Sequence, residues 1–144
     1  MADIFQDFTV KALPERVFET IATPSGLDRW WTNQASREPR EKAEYALHFG
    51  PGYDWRGRVT RYAPGSAFEL LITQAHPDWM GTRVGCQLEP EGKAATRVRF
   101  YHTGWPEQNE HCRVSCHCWA MYLRVLRRYV EYGEVVPYEK RLEV

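Results

Sequence analysis

Residues 111–119 read HCRVSCHCW, which puts three cysteines and two histidines into nine positions. Thiolates and imidazoles at this density could hold a zinc ion or run redox chemistry. Spacing decides between these and a packed helix face. From residue 106 to about 132 the apolar residues Cys112, Cys116, Trp119, Leu123, Leu126 and Val130 recur at intervals of 4, 3, 4, 3 and 4. That is one stripe on a long helix, with Arg113, His117, Arg124, Arg128 and Glu131 opposite. At about 100° per residue, Cys118 lies roughly 160° around from Cys116, so these two cannot share one tetrahedral ion. Cys112 with Cys116 could give two ligands, and only Cys86 and His102 offer themselves as the others. The reading is structural packing: buried cysteine often serves as a small hydrophobe, and no metal site is expected.

The elements that hold this helix follow from the pattern upstream. Residues 3–12 alternate loosely, with Phe8 and Val10 on one face, and predict a strand. Pro14 and Glu15 open a short helix whose apolar side is Val17, Phe18 and Ile21. Pro24 opens a second, and Leu27, Trp30 and Trp31 must dock for such short helices to persist. Residues 32–44 are polar and read as a surface loop. Five strands are predicted over 44–50, 54–63, 67–75, 82–89 and 94–102, with turns at Pro51-Gly52, Pro64-Gly65, 76–81 and 90–93. Val84, Cys86 and Leu88 share a face, as do Val98, Phe100 and His102, while Arg97, Arg99 and Tyr101 face the other way. One dry and one wet face imply antiparallel pairing. Gly133 ends the long helix. The fold class is therefore α+β, a six-stranded antiparallel sheet with two short helices after strand 1 and a long C-terminal helix, in one domain over residues 1–144.

Composition narrows the function. Lys plus Arg and Asp plus Glu are each 19, so the net charge is zero, and nucleic acid and membrane surfaces are not expected partners. The N-terminus lacks the basic and apolar segments of a signal peptide, and no apolar run approaches the roughly 20 residues of a membrane span. A cytoplasmic location with four free thiols is expected. The sequence holds no phosphate loop, nucleophile elbow, HExxH or paired CxxC.

Three stretches in order, VKALPERVFETIATPSGLDRWWT, TRVRFYHTGWP and CWAMYLRVLRRYVEYGE, resemble the family of the C-terminal domain of the Hsp90 ATPase activator (AHSA1-like). That family falls within the START/Bet v 1-like (SRPBCC) superfamily. The resemblance covers nearly the whole chain. It implies a helix-grip fold, a curved sheet around the C-terminal helix with a cavity between them. Hsp90 activation is not expected, because the motif begins at about residue 8 and the co-chaperone carries another domain before it.

If the cavity exists, its ligand-binding lining is Trp30, Trp31, Phe49, Trp55, Val59, Phe68, Leu70, Ile72, Val84, Cys86, Val98, Phe100, His102, Cys112, Cys116, Trp119 and Leu123. Such a lining suits an apolar, aromatic or lipid-like small molecule and equally suits a filled core. His102 is the one candidate base, which would make a cofactor-free cyclase or dehydratase; the alternative is a structural histidine bonded to a backbone carbonyl near Gly104-Trp105. A co-chaperone-like interaction module is the third reading. Trp30-Trp31 reads as a docking anchor. Arg124, Arg127, Arg128, Lys140 and Arg141 read as a solvated basic face. The tail after Pro137 docks on the body or on a second subunit, so both monomer and homodimer stay open.

Overall fold

A computed structural model describes residues 2–36, 42–49 and 54–144. The central part of the 32–44 loop and the Pro51-Gly52 turn lie outside these. The chain begins with β1 (Ala2–Val10), then α1 (Pro14–Ala22) and the four-residue α2 (Pro24–Leu27). The strands β2 (Gln34–Ser36), β3 (Glu44–His48), β4 (Asp54–Ala63), β5 (Ala67–Gln74), β6 (Arg83–Glu91) and β7 (Ala95–Trp105) follow. The long helix α3 (Glu110–Tyr132) and a 3-10 helix (Tyr138–Glu143) close the chain.

All described strands pair antiparallel in one seven-stranded sheet, in the order β1-β7-β6-β5-β4-β3-β2. The architecture is the expected helix-grip fold. The seventh strand is β2, three residues that pair with β3 through Gln34–His48 and Ser36–Ala46. Its residues QAS carry no apolar alternation, so nothing but the partner's backbone makes it a strand.

Each helix boundary has a local cause. Pro14 occupies the first turn of α1. Thr23 Oγ1 donates to the carbonyl of Glu19 at 2.6 Å and accepts the N–H of Gly26 at 3.0 Å, ending α1 and starting α2 with one hydroxyl. Asn109 caps α3 by accepting the N–H of Cys112 at 2.9 Å. The helix therefore starts at residue 110 rather than 106, and residues 106–109 are spent on the approach to the cap. Gly133 closes it at φ 70°, a left-handed conformation that glycine takes without strain.

The buried stripe of α3 runs through Cys112, Ser115, Trp119, Leu123, Leu126 and Val130. Ser115 takes the place expected for Cys116. The tail is helical rather than alternating, and it docks on the body: Tyr138 donates to the carbonyl of Phe49 at 2.9 Å. Arg141, expected on a solvated face, is buried at 5% exposure. It donates to the carbonyls of Thr32 at 3.0 Å, Val136 at 3.3 Å and Asp28. A guanidinium carries five N–H donors in a planar fork, enough to serve three separated carbonyls at once. No helix of the described residues is long and apolar enough to cross a membrane.

Candidate functional site

The concave face of the sheet, α1, α2 and α3 meet around a cluster of aromatic rings. Strand alternation aims Phe68, Leu70, Ile72, Val84, Cys86, Val98, Phe100 and His102 at it, and all eight are buried. Val59 is fully buried on β4, and Trp55 and Phe49 border the cluster half-buried. From α3 comes Trp119, with its ring 4.6 Å from Phe100 and 5.1 Å from Trp31. Trp30 and Trp31 dock inward from the turn after α2, and Trp30 Nε1 donates to the carbonyl of Thr20 at 3.1 Å. They are anchors, as expected, because that bond and those ring contacts hold a helix too short to persist alone.

Two expected members sit at the margin of the cluster. Cys116 is half-buried on the β1 side of α3, where Gln6 Nε2 donates to its carbonyl at 3.3 Å and its Sγ at 3.6 Å. A hundred-degree step per residue carries it off the stripe that Ser115 completes. Leu123 is buried but borders a surface groove of about 300 Å³ with Gln6, Phe8 and Arg127. Trp79, Thr82 and Trp105 are interior residues that the sequence reading missed. Trp79 stacks against both Trp31 at 6.5 Å and Trp119 at 5.8 Å, from the turn between β5 and β6. A lone tryptophan in HPDWMG was the available signal.

The rings fill most of the space they enclose. What remains beside Ile21, Leu27, Trp30, Trp31, Val84 and Phe100 is about 20 Å³, room for about one water. Among the described residues, the cavity implied by the resemblance is closed at this point. Volume is taken by Trp30, Trp31, Trp79 and Trp119, whose rings lie 6.0 Å apart in the pair Trp30–Trp31, 6.4 Å in Trp30–Trp119 and 5.8 Å in Trp79–Trp119.

His102 sits fully buried in this cluster, with both ring nitrogens engaged. Trp119 Nε1–H, which can only donate, points to Nδ1 at 3.1 Å. Nδ1 is therefore the acceptor and Nε2 carries the proton, which it donates to Thr82 Oγ1 at 2.9 Å. Thr82 Oγ1 in turn donates its hydrogen bond to the carbonyl of Trp79 at 2.6 Å. The chain of bonds is complete and runs through side chains, not through the Gly104-Trp105 backbone expected. Burial pushes the His102 pKa down to about 3, with a smaller contribution from His111. A neutral imidazole with no free lone pair does not accept a substrate proton at neutral pH. Cys86 is equally inert, because burial pushes its thiol up to about 12. By contrast, the buried indole N–H groups of Trp79 and Trp105 have no acceptor among the described residues.

A family model described as Activator of Hsp90 ATPase homolog 1-like protein matches residues 11–131. Among solved structures, the Aha1 dimer from Colwellia psychrerythraea is 30% identical over 93% of this chain and 99% of that one, with a TM-score of 0.83. A protein from Mesorhizobium loti is 15% identical over 92% and 99% of the two chains, with a TM-score of 0.81. CalU16 from Micromonospora echinospora is 20% identical over 98% and 83%, with a TM-score of 0.74. These last two share the fold alone. No curated protein matches the chain.

Proposed function

The chain belongs to the Activator of Hsp90 ATPase homolog 1-like family, and from that premise we propose that it is a binding protein without chemistry of its own, taking an apolar ring compound into the aromatic interior. The observation that carries this reading is the lining of the residual space: ten residues of α1, the α2 region, β5, β6 and β7, with no charged side chain among them. Such a surface rewards a flat hydrocarbon ring and nothing charged.

Uptake requires opening, since 20 Å³ holds no ring. The part that moves is α2 with Trp30 and Trp31, because a four-residue helix has little stability of its own. The fraction of open molecules then scales the apparent affinity. The complete bonding of His102 argues against the cyclase or dehydratase alternative.

The test is a titration of the full chain with bicyclic and tricyclic aromatic ketones and phenols, followed by tryptophan fluorescence and melting temperature. Saturable quenching with a rise in melting temperature is expected, and Trp31→Ala should bind more tightly because the plug is gone. If neither protein responds to any compound, the interior is a solid core.

One observation favours a second reading, an interaction module: the closed interior coexists with exposed apolar side chains such as Phe5, 67% exposed on the outer strand β1. The Colwellia relative is itself described as a dimer. Sedimentation at micromolar concentration, compared between wild type and Phe5→Ser, tests this; a monomer in both removes self-association.

A further inference from the structure

The turn between β5 and β6 and the first turn of α3 meet outside the aromatic cluster. His76, Asp78 and His111 bring one ligand atom each to within 4.8 Å of one another. We propose that these three residues form a surface site for a borderline divalent transition ion of the zinc, nickel or copper class. Two imidazoles and one carboxylate are the donor set such ions select, and hard ions such as magnesium and calcium, which take oxygen donors, do not.

The geometry is close to that of a bound state. His111 Nδ1 lies 2.9 Å from Asp78 Oδ2, and His76 Nδ1 lies 3.8 Å from the same oxygen. Tetrahedral ligation at about 2.0–2.1 Å spaces ligand atoms about 3.3 Å apart. The first pair must open and the second must close by roughly half an ångström each, and the two imidazole nitrogens, within 4.8 Å of each other, must approach by up to about 1.5 Å, which falls to rotation of the exposed His76 side chain. His76 is the adjustable member: its side chain is 51% exposed, and its Nδ1 gives up one bond, from the N–H of Asp78 at 3.1 Å.

The surroundings prepare the carboxylate. Asn109 Nδ2 donates to Asp78 Oδ2 at 3.3 Å while its Oδ1 caps α3, so the residue that starts the helix also orients the ligand. Three protein ligands leave a fourth position for water or a small anion. The ion would tie the β5–β6 turn to α3, and that turn carries Trp79 into the interior.

The test uses untagged full-length protein freed of metal by chelation. Zinc is titrated calorimetrically, and cobalt substitution is followed by absorption. One zinc per chain, a melting temperature that climbs with zinc, and cobalt bands without thiolate charge transfer are expected. His111→Ala and His76→Ala should each weaken zinc at least about tenfold while leaving the metal-free melting temperature within a few degrees. The double substitution Cys116→Ser and Cys118→Ser should leave zinc affinity unchanged. Failure to bind zinc at 100 times the protein concentration overturns the proposal. So does binding that survives both histidine substitutions, or binding lost with the two thiols.

Discussion

The indole N–H of Trp119 meets Nδ1 of His102 at 3.1 Å, joining the middle of α3 to β7 at the centre of the protein. The bond fixes the imidazole tautomer and, through Thr82, reaches the backbone of Trp79. One polar thread thus runs through an otherwise apolar cluster, and every atom on it is satisfied.

Acid should expose this thread. His102 titrates near 6.5 when unfolded and near 3 when folded. Between those values the unfolded chain binds the extra proton, so stability rises with pH there. The contribution is fully present above about pH 6.5 and is lost as pH falls toward 3, by up to about 1.4 kcal/mol per pH unit. Urea unfolding at pH 7.5 and 4.5 should show the loss, and His102→Gln should show a smaller one. Equal losses in both proteins would contradict the assignment.

Trp119→Phe keeps a ring but removes the donor. It leaves Nδ1 of a buried histidine without a partner and a gap beside Phe100. The expected cost is about 2–4 kcal/mol. Thr82→Val breaks the next link and should cost about 1–3 kcal/mol, read by urea denaturation at pH 7.5.

Arg141→Met retains the bulk of the side chain and removes its donors from the carbonyls of Asp28, Thr32 and Val136. Two buried carbonyls and the half-buried one of Asp28 then lose a partner, at a cost of about 2–4 kcal/mol. Because two of them follow α2, amide exchange should accelerate at Trp30 and Trp31 more than in β6. Uniform acceleration would mean that the tail does not hold α2.

Gly85→Ala probes the convex face. A methyl group there would lie 2.6 Å from Tyr101 Oη and 2.7 Å from the carbonyl of Phe68. The hydroxyl must leave its 2.6 Å bond to Glu69, and the strand must shift. A loss of about 1–3 kcal/mol is expected. Tyr101→Phe/Gly85→Ala should recover part of it.

The sequence made the scaffold legible wherever burial imposes a period. The bounds of β4 came out at 54–63, and the 4, 3, 4 stripe located α3, because one face of each is apolar. Where backbone pairing alone makes the element, as in Gln34–Ser36, no side chain announces it. Cys116 was misplaced because a cysteine and a serine compete for one stripe position, and small residues carry a weak apolar signal. Arg141 was read as solvated because its partners are carbonyls, which have no sequence signature. The interior residues are legible as one buried set, but whether they enclose space depends on ring packing. His76 and Asp78 lie over thirty positions from His111, so only the fold brings them together.

The most direct measurement of the central claim is a methyl NMR titration of the wild-type protein with a tricyclic aromatic ketone. The methyl groups of Ile21, Leu27, Leu70 and Val84 line the residual space. The account predicts ring-current shifts at these four that saturate at one ligand per chain, while the buried methyl groups of Val125 and Val130 on α3 move little. Shifts confined to surface methyl groups, or none at all at saturating ligand, would contradict it.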